Sequence, residues 1–281
     1  METPQSIPCS VGILTFNNEA TIRRALETIK DFDDIVVCDG GSTDRTLEIA
    51  RSYGATIIKQ DVRFKLPNNT IRDYSGVRNQ TLDAARHKWF FFLDSDEYLS
   101  DDIVAEIRSI ASDSHATPAA YWAPRKYVLN GVIIKCATTY PNRQMRFFHR
   151  DATERFIKEV HERIKVKEDA VVLALKEHML VPMCEDISEV RKKWRYYAGL
   201  EARRPEHINI WLVCKVVYGN IKISTLFILR YIRNLFFCRG PRVPFAHEME
   251  RHMYHIQIIS AFAKRMIRER TMFTRRDVKV K

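Results

Sequence analysis

Lys88-Trp-Phe-Phe-Phe-Leu-Asp-Ser-Asp-Glu-Tyr98 decides how this 281-residue chain folds. Five apolar residues in succession, Trp89 to Leu93, predict a strand covered on both faces, because a parallel sheet flanked by helices needs no polar alternation. The run then ends on acid. Side chains alternate along extended backbone, so Asp94 and Asp96 are expected on one side at the strand's C-terminal end, where open α/β sheets take their ligands. Two hard carboxylates two residues apart suit Mg²⁺ or Mn²⁺, with positions left for diphosphate oxygens. An isolated Asp-x-Asp also ends strands and caps helices without a metal, so the weight falls on the residues around it.

Upstream, Ser10 to Thr15 is a short apolar run followed by the polar Asn17-Asn18-Glu19. Ile22, Ala25, Leu26 and Ile29 then recur at helical spacing. Ile35 to Cys38 predicts a second buried strand, ending on Asp39-Gly-Gly-Ser-Thr-Asp44. The glycines permit a tight turn there, and Asp44 is placed to cap the next helix, which Gly54 stops. Ala55 to Ile58 predicts a third strand, and Tyr74, Val77, Thr81 and Ala85 form one face of a helix leading into the strand at 89–93. Repeated β-loop-α units with right-handed crossovers give a doubly wound, mostly parallel sheet.

Downstream, Ser100-Asp-Asp caps an amphipathic helix carrying Ile103, Val104, Ile107 and Ile110. The pattern then changes. Asn130-Gly131 is the dipeptide of a two-residue hairpin turn. Gln144 to His149, Val160 to Val166 and Ala170 to Leu175 are strand candidates, so mixed strands extend the parallel half. Ile187, Val190, Trp194 and Tyr197 return to helical spacing, with Pro205 as a limit. This divides the chain into 1–110, a nucleotide-binding half; 111–185, an acceptor-binding half of the same domain; and 186–281, a helical C-terminal extension.

Lys and Arg number 46 against 35 Asp and Glu, a net charge of +11, which implies an anionic partner. Nucleic acid is not the expected one: no recognition motif with interleaved aromatics and glycines is present, and the cations concentrate after residue 140. Six cysteines without a Cys-x-x-Cys pair suggest reduced thiols in cytoplasm rather than a zinc site or a disulfide framework. The opening residues carry no basic and apolar leader pattern, so the expected compartment is the cytoplasm.

The stretch 221–237 is strongly apolar but interrupted by Lys222, Arg230 and Arg233, which argues against a membrane span and for either an amphipath at the headgroup boundary of an anionic membrane or a core-packed helix. Met249, Met253, Ile256, Ile259, Ala263 and Ile267 are in helical register and are expected to pack on the domain. His247-Glu-Met-Glu-Arg-His252 has one residue too many for a metalloprotease signature and is expected to be a solvated face.

Taken together and in order, Thr15-Phe-Asn-Asn-Glu19, Asp39-Gly-Gly-Ser-Thr-Asp44, Arg78-Asn79 and Leu93-Asp-Ser-Asp-Glu97 resemble glycosyltransferase family 2, of the GT-A fold, over roughly residues 9 to 110. Beyond that, Arg143-Gln-Met-Arg-Phe-Phe-His149, Val160-His-Glu162 and His178 resemble the branch containing lipopolysaccharide core glucosyltransferases. The resemblance implies inverting transfer from a nucleotide sugar, usually a UDP-sugar, to a glycolipid or polysaccharide acceptor at the inner face of a membrane. It implies that Thr15, Asn17, Glu19, Asp39, Arg78 and Asp94 serve the nucleotide sugar and that Asp94 and Asp96 hold a divalent metal. Gly40 stands where many members carry a second acid, so the base contact falls to Asp39 alone. Arg72 is the alternative to Arg78 for the diphosphate.

Inverting transfer also needs a general base. In Val160 to Val166 the apolar residues share a face with Glu162, and a desolvated carboxylate titrates higher, so Glu162 is the expected base, with Glu185 and Asp186 in reserve. His161 points the other way, toward an acidic acceptor, and His178 is a candidate acceptor or metal contact. Two rival readings are a sugar-phosphate nucleotidyltransferase, which would show a glycine-rich basic loop where Asn17-Asn18-Glu19 stands, and a non-catalytic binding protein on the same fold.

Overall fold

The structure is a computed structural model that describes residues 6–67, 69–159, 162–203 and 207–278, with side chains described as far as residue 269. Four strands, β1 (Ile7–Thr15), β2 (Phe32–Asp39), β3 (Thr56–Lys59) and β4 (Trp89–Asp94), lie parallel in the order β3-β2-β1-β4. Helices α1 (Glu19–Thr28), α2 (Thr46–Ser52) and α3 (Tyr74–Ala84) connect them. From β1 the chain runs outward to β2 and β3 and returns to β4 on the other side of β1, so the topological switch point lies between β1 and β4.

After β4 come β5 (Tyr98–Leu99), α4 (Asp101–Ala111), β6 (Ala119–Leu129), β7 (Val132–Ile133), β8 (Arg143–His149), β9 (Thr153–Ile157), β10 (Arg163–Val166), β11 (Val171–Ala174) and β12 (Met179–Pro182). β8 pairs antiparallel with β4 and with β6, which extends the sheet, while β9 and β10 form a separate two-stranded ribbon. The expected α/β fold, a mostly parallel half continued by mixed strands, is therefore present. The Asn130-Gly131 turn is present too, with both residues at positive φ (50° and 73°) and Leu129 paired to Val132.

β4 shows why a continuous apolar run was needed. Phe91 and Leu93 pack with Ile22, Leu26, Ile103 and Ile107 on one face, and Phe90 and Phe92 pack with Leu82, Phe148 and Phe156 on the other. Each such burial is worth about 1.5–3 kcal/mol relative to exposure. Gly12, in the neighbouring β1, has no room for a side chain: a Cβ there would stand 2.6 Å from the Phe90 ring and 2.7 Å from the Thr81 hydroxyl.

The chain forms two compact units: 1–127 with 141–182, and 128–140 with 183–281. The second contains α5 (Ile187–Arg203), α6 (Ile210–Phe237) and α7 (Phe245–Val278), and it takes in residues 128–140, which the sequence grouped with the acceptor half. Pro205, the expected limit of α5, lies outside the described residues.

Three expectations for this helical unit are corrected. Cys136 and Cys238 are joined in a disulfide across 102 residues, so these thiols are not reduced. The segment after β7 folds back onto the end of α6, where Lys135 and Cys136 N–H groups donate to the Pro241 carbonyl, and that return brings the two sulfurs together. No local Cys motif could encode a pairing at that separation. Met249, Met253, Ile256 and Ile267 face outward, and α7 packs instead through His255, Ile258 and Phe262. The face expected to be solvated is buried at His247, Glu248 and Glu250 because those groups have polar partners inside the unit, Thr138 for Glu248 and Arg191 for Glu250.

Candidate active site

Two loops at the C-terminal ends of β1 and β2 are laced together by side chains. Asn17, itself at positive φ (51°), accepts at Oδ1 from the Thr43 N–H at 2.8 Å, and its own N–H donates to Ser42 Oγ at 2.9 Å. The Asn18 N–H donates to Thr46 Oγ1 at 2.7 Å, the Glu19 N–H to Asp44 Oδ2 at 3.1 Å, and the Arg45 N–H to Glu19 Oε2 at 3.0 Å. Thr15 is buried, with its hydroxyl on Asn18 Oδ1 at 3.0 Å. Asp39 organises the glycine turn after β2: Oδ2 accepts from the Gly41 and Ser42 N–H groups, and Oδ1 accepts the Ser42 hydroxyl at 2.6 Å. Lys65 places its ammonium 2.6 Å from the Gly40 carbonyl, leaving a cation beside this turn. In this way the fold brings Thr15, Asn17, Glu19 and Asp39 to one rim of the sheet.

Asp94 is the last residue of β4, and the strand ends there in a turn closed by the Glu97 N–H on the Asp94 carbonyl. Strand alternation therefore does not extend to Asp96, and the two carboxylates differ in setting. Asp94 accepts Arg78 Nη2 at Oδ1 (2.7 Å) and Arg146 Nη2 at Oδ2 (2.8 Å), with its side chain 34% exposed. Asp96 is exposed, and its backbone carbonyl accepts from Arg24. Arg146 also pairs with Glu97 at 3.0 Å, and Glu97 in turn pairs with Arg125. At the other end Arg78 Nε donates to Glu162 Oε1 at 2.6 Å. The chain Glu162–Arg78–Asp94–Arg146–Glu97–Arg125 thus alternates three acids with three bases. The Phe92 ring lies against the guanidiniums of both Arg78 and Arg146, with centroid distances of 4.2 and 4.1 Å.

The protonation states follow from this wiring. Burial acts to raise the Asp94 carboxyl, but Arg146 and Arg78 overcome it and hold the group well below the usual carboxylate range. Burial likewise disfavours the Arg78 charge, and Asp94 and Glu162 more than reverse that. At Glu97 burial prevails over Arg146 and Arg125, and the carboxyl is raised.

Other predicted residues lie elsewhere. Glu162 precedes β10 and is ion-paired, so it is not the uncompensated acid on an apolar face that the sequence suggested. Arg72 donates to the Arg63 carbonyl. His161 lies outside the described residues. His178 is half-buried, its titration lowered by burial and by Lys126 and Arg143, and among the described residues no group of three or more His, Cys, Asp or Glu side chains is arranged to hold a metal. Glu185 and Asp186 belong to the helical unit. Arg125 was missed. Arg146 was visible only as part of a resemblance, although a cation between Met145 and Phe147 in a strand carries its own signal, since such a residue is seldom buried unless paired.

Residues 10–117 match the profile of Glycosyl transferase family 2. Over those residues the chain is similar to family 2 glycosyltransferases. Among curated relatives, EpsH of Bacillus subtilis (strain 168) is 32% identical over 117 residues, 40% of this chain and 32% of the relative. The SPbeta prophage-derived glycosyltransferase SunS of the same organism is 30% identical over 111 residues, 39% of this chain and 24% of the relative. The lipopolysaccharide core biosynthesis glycosyltransferase LpsC of Rhizobium meliloti (strain 1021) is 30% identical over 93 residues, 33% of each. The match thus spans a quarter to a third of the length of these relatives. Among solved structures, S. aureus TarS 1-349 in complex with UDP-GlcNAc superposes with a TM-score of 0.43 at 14% identity, covering 94% of this chain and 92% of TarS 1-349. The matched segment contains the laced loops, Arg78, Asp94 and Glu97, whereas Arg125, Arg146 and Glu162 follow it in sequence.

Proposed function

We propose that the chain is an inverting glycosyltransferase that moves a sugar from a nucleotide sugar, a UDP-sugar, to a hydroxyl of a lipid-linked or lipopolysaccharide-type glycan. The observation that carries this is Asp94: within the segment similar to family 2 glycosyltransferases, at the C-terminal end of β4 beside the switch point, a partly exposed carboxylate is fixed by two buried arginines. The nucleoside end of the donor sits against Thr15, Asn17, Glu19 and Asp39, and the diphosphate lies toward Arg78 and Asp94.

The donor set suits a hard divalent cation. Asp96 offers an exposed carboxylate, and Asp94 is firmly anionic with its geometry fixed, while Mg²⁺ or Mn²⁺ takes most of its remaining ligands from phosphate and water. When bound, the cation neutralises charge on the departing nucleotide diphosphate. The chain's own groups do the rest. Arg78 fixes the positions of Asp94 and Glu162 from between them, and Glu162 is the base that takes the acceptor hydroxyl's proton. His178, in a setting made basic by Lys126 and Arg143, is assigned to an anionic acceptor, together with His161.

The +11 charge supports work beside an anionic membrane surface. A cytoplasmic location rests on the nucleotide-sugar donor alone, since the Cys136–Cys238 disulfide gives it no support. Calorimetry tests the donor site: UDP and UDP-sugars, with GDP as the control, should bind in the presence of Mn²⁺, and Asp96→Ala should lose the metal-dependent part. Absence of nucleotide binding under every metal condition would remove the transferase reading. Glu162→Gln should keep donor binding and lose turnover by about 10²–10⁴-fold, measured as UDP release with acceptor present.

A further inference from the structure

Val213 of α6 and Ile258 and Phe262 of α7 share a small apolar core, but from Asn220 on α6 and up to Ile256 on α7 most buried side chains are polar and most large apolar ones are exposed. Between and beneath them His255 Nδ1 meets Asn220 Oδ1 at 2.8 Å, His252 Nδ1 meets Ser224 Oγ at 2.6 Å, and Arg230 donates to the Thr138 carbonyl at 3.2 Å. The Thr138 hydroxyl donates to Glu248 Oε2 at 2.7 Å, Arg251 pairs with the same carboxylate, and Glu250 pairs with Arg191. On the outside stand Trp211 and Phe237, both 82% exposed, with Leu229 and Ile232 between them on α6 and Met253 and Ile256 on α7.

In water this order is inverted. A water-soluble helix buries its apolar stripe and solvates its charges, whereas the most apolar stretch of α6, with a mean hydropathy of 1.6, is only 6% buried. Against hydrocarbon the order is the expected one: polar groups must find partners inside, and lipid-facing positions are apolar. The width of the outward surface separates lipid from a protein partner. At 100° per residue, the exposed large hydrophobic residues from Ile221 to Phe237 occupy an arc of about 240° around α6, where a docked helix or sheet would need a stripe of roughly 100°. A surrounding solvent covers such an arc. The cations fit as well: Lys222 and Arg233 are exposed residues with long apolar stems, and Arg239 and Arg242 stand just past the helix end. At 28 residues α6 is about 42 Å long, enough to match the hydrocarbon layer of about 30 Å.

We propose that the outward surface of the α6–α7 pair is seated among the acyl chains of a lipid bilayer. The contact is hydrophobic rather than an electrostatic attachment to headgroups, and it is independent of the transferase reading, since every residue in it belongs to the helical unit.

The test uses the full chain and extruded vesicles of neutral phosphatidylcholine alone. Flotation with these vesicles should be unchanged by 1 M NaCl. An environment-sensitive fluorophore on the exposed Cys214, in a Cys184→Ser background, should be quenched more strongly by lipids labelled deep in the acyl chain than by lipids labelled at the headgroup. Leu229→Glu, Ile232→Glu and Phe236→Glu together should lower partitioning by more than about a hundredfold. Their circular dichroism and UDP binding should be unchanged, because all three side chains are exposed. Binding that requires anionic lipid and is released by salt would overturn the proposal in favour of a headgroup contact. Failure to float, with concentration-dependent dimerisation in sedimentation, would overturn it in favour of a second copy of the chain. Failure to float without self-association would overturn it outright.

Discussion

The guanidinium of Arg146, only 2% exposed, serves Asp94 and Glu97 at once. Removing one member of a buried ion pair leaves the other charge desolvated, a loss of about 3–5 kcal/mol. Arg146→Ala should therefore lower the unfolding free energy obtained from urea titration by about that amount, and Arg146→Lys should recover only part of it, because an ammonium lacks the planar fork of donors. The same network sets an acid limit. The folded state holds the Asp94 proton more weakly than the unfolded chain does, so the stability Asp94 contributes is complete above the ordinary carboxylate value of about 4 and is lost as pH falls below it. Glu97, raised by burial, has the opposite sign: its contribution falls as pH rises through the ordinary value. Urea midpoints measured from about pH 6 down to about pH 3 should fall, and Asp94→Asn should flatten that slope. The acids were legible in the sequence because they end an apolar run. Their arginine partners were less so: Arg78 and Arg146 lie 16 and 52 residues from Asp94, and only the fold brings them together.

Among the elements, β4 was legible from composition because a strand covered on both faces admits one reading. Its neighbour β1 carries a constraint that composition hides. Gly12→Ala would drive a methyl into Phe90 and Thr81, and overpacking of this kind costs about 1–3 kcal/mol. Thermal unfolding should show the loss directly. α7 was misread for a related reason. Helical period identifies a stripe but not which medium the stripe faces, and here the apolar stripe faces outward while carboxylates and histidines are buried. Glu162 shows the same limit on a strand edge: alternation gave it a face, and the arginine that faces it came from α3.

For the whole molecule, the division into two units gives separable expectations. The Cys136–Cys238 bond joins two residues of the helical unit, although the loop it closes includes 141–182 of the other unit, and its removal should cost about 2–5 kcal/mol. Cys136→Ser with Cys238→Ser should lower the helical melting temperature, and the wild-type protein should reproduce the shift under reductant while nucleotide binding persists. The parallel half was legible because each β-loop-α unit encodes itself locally. The disulfide and the extent of the second unit were not, since both depend on residues 128–140 meeting the far end of the chain. The laced loops after β1 and β2 carry a kinetic consequence of their own. Their backbone N–H groups are already held by Asn17, Asn18, Asp39 and Asp44, so a nucleotide arriving at that rim has little chain left to order. Capture should then be a single fast phase whose rate rises linearly with nucleotide concentration, and tight binders should differ from weak ones in how slowly they leave.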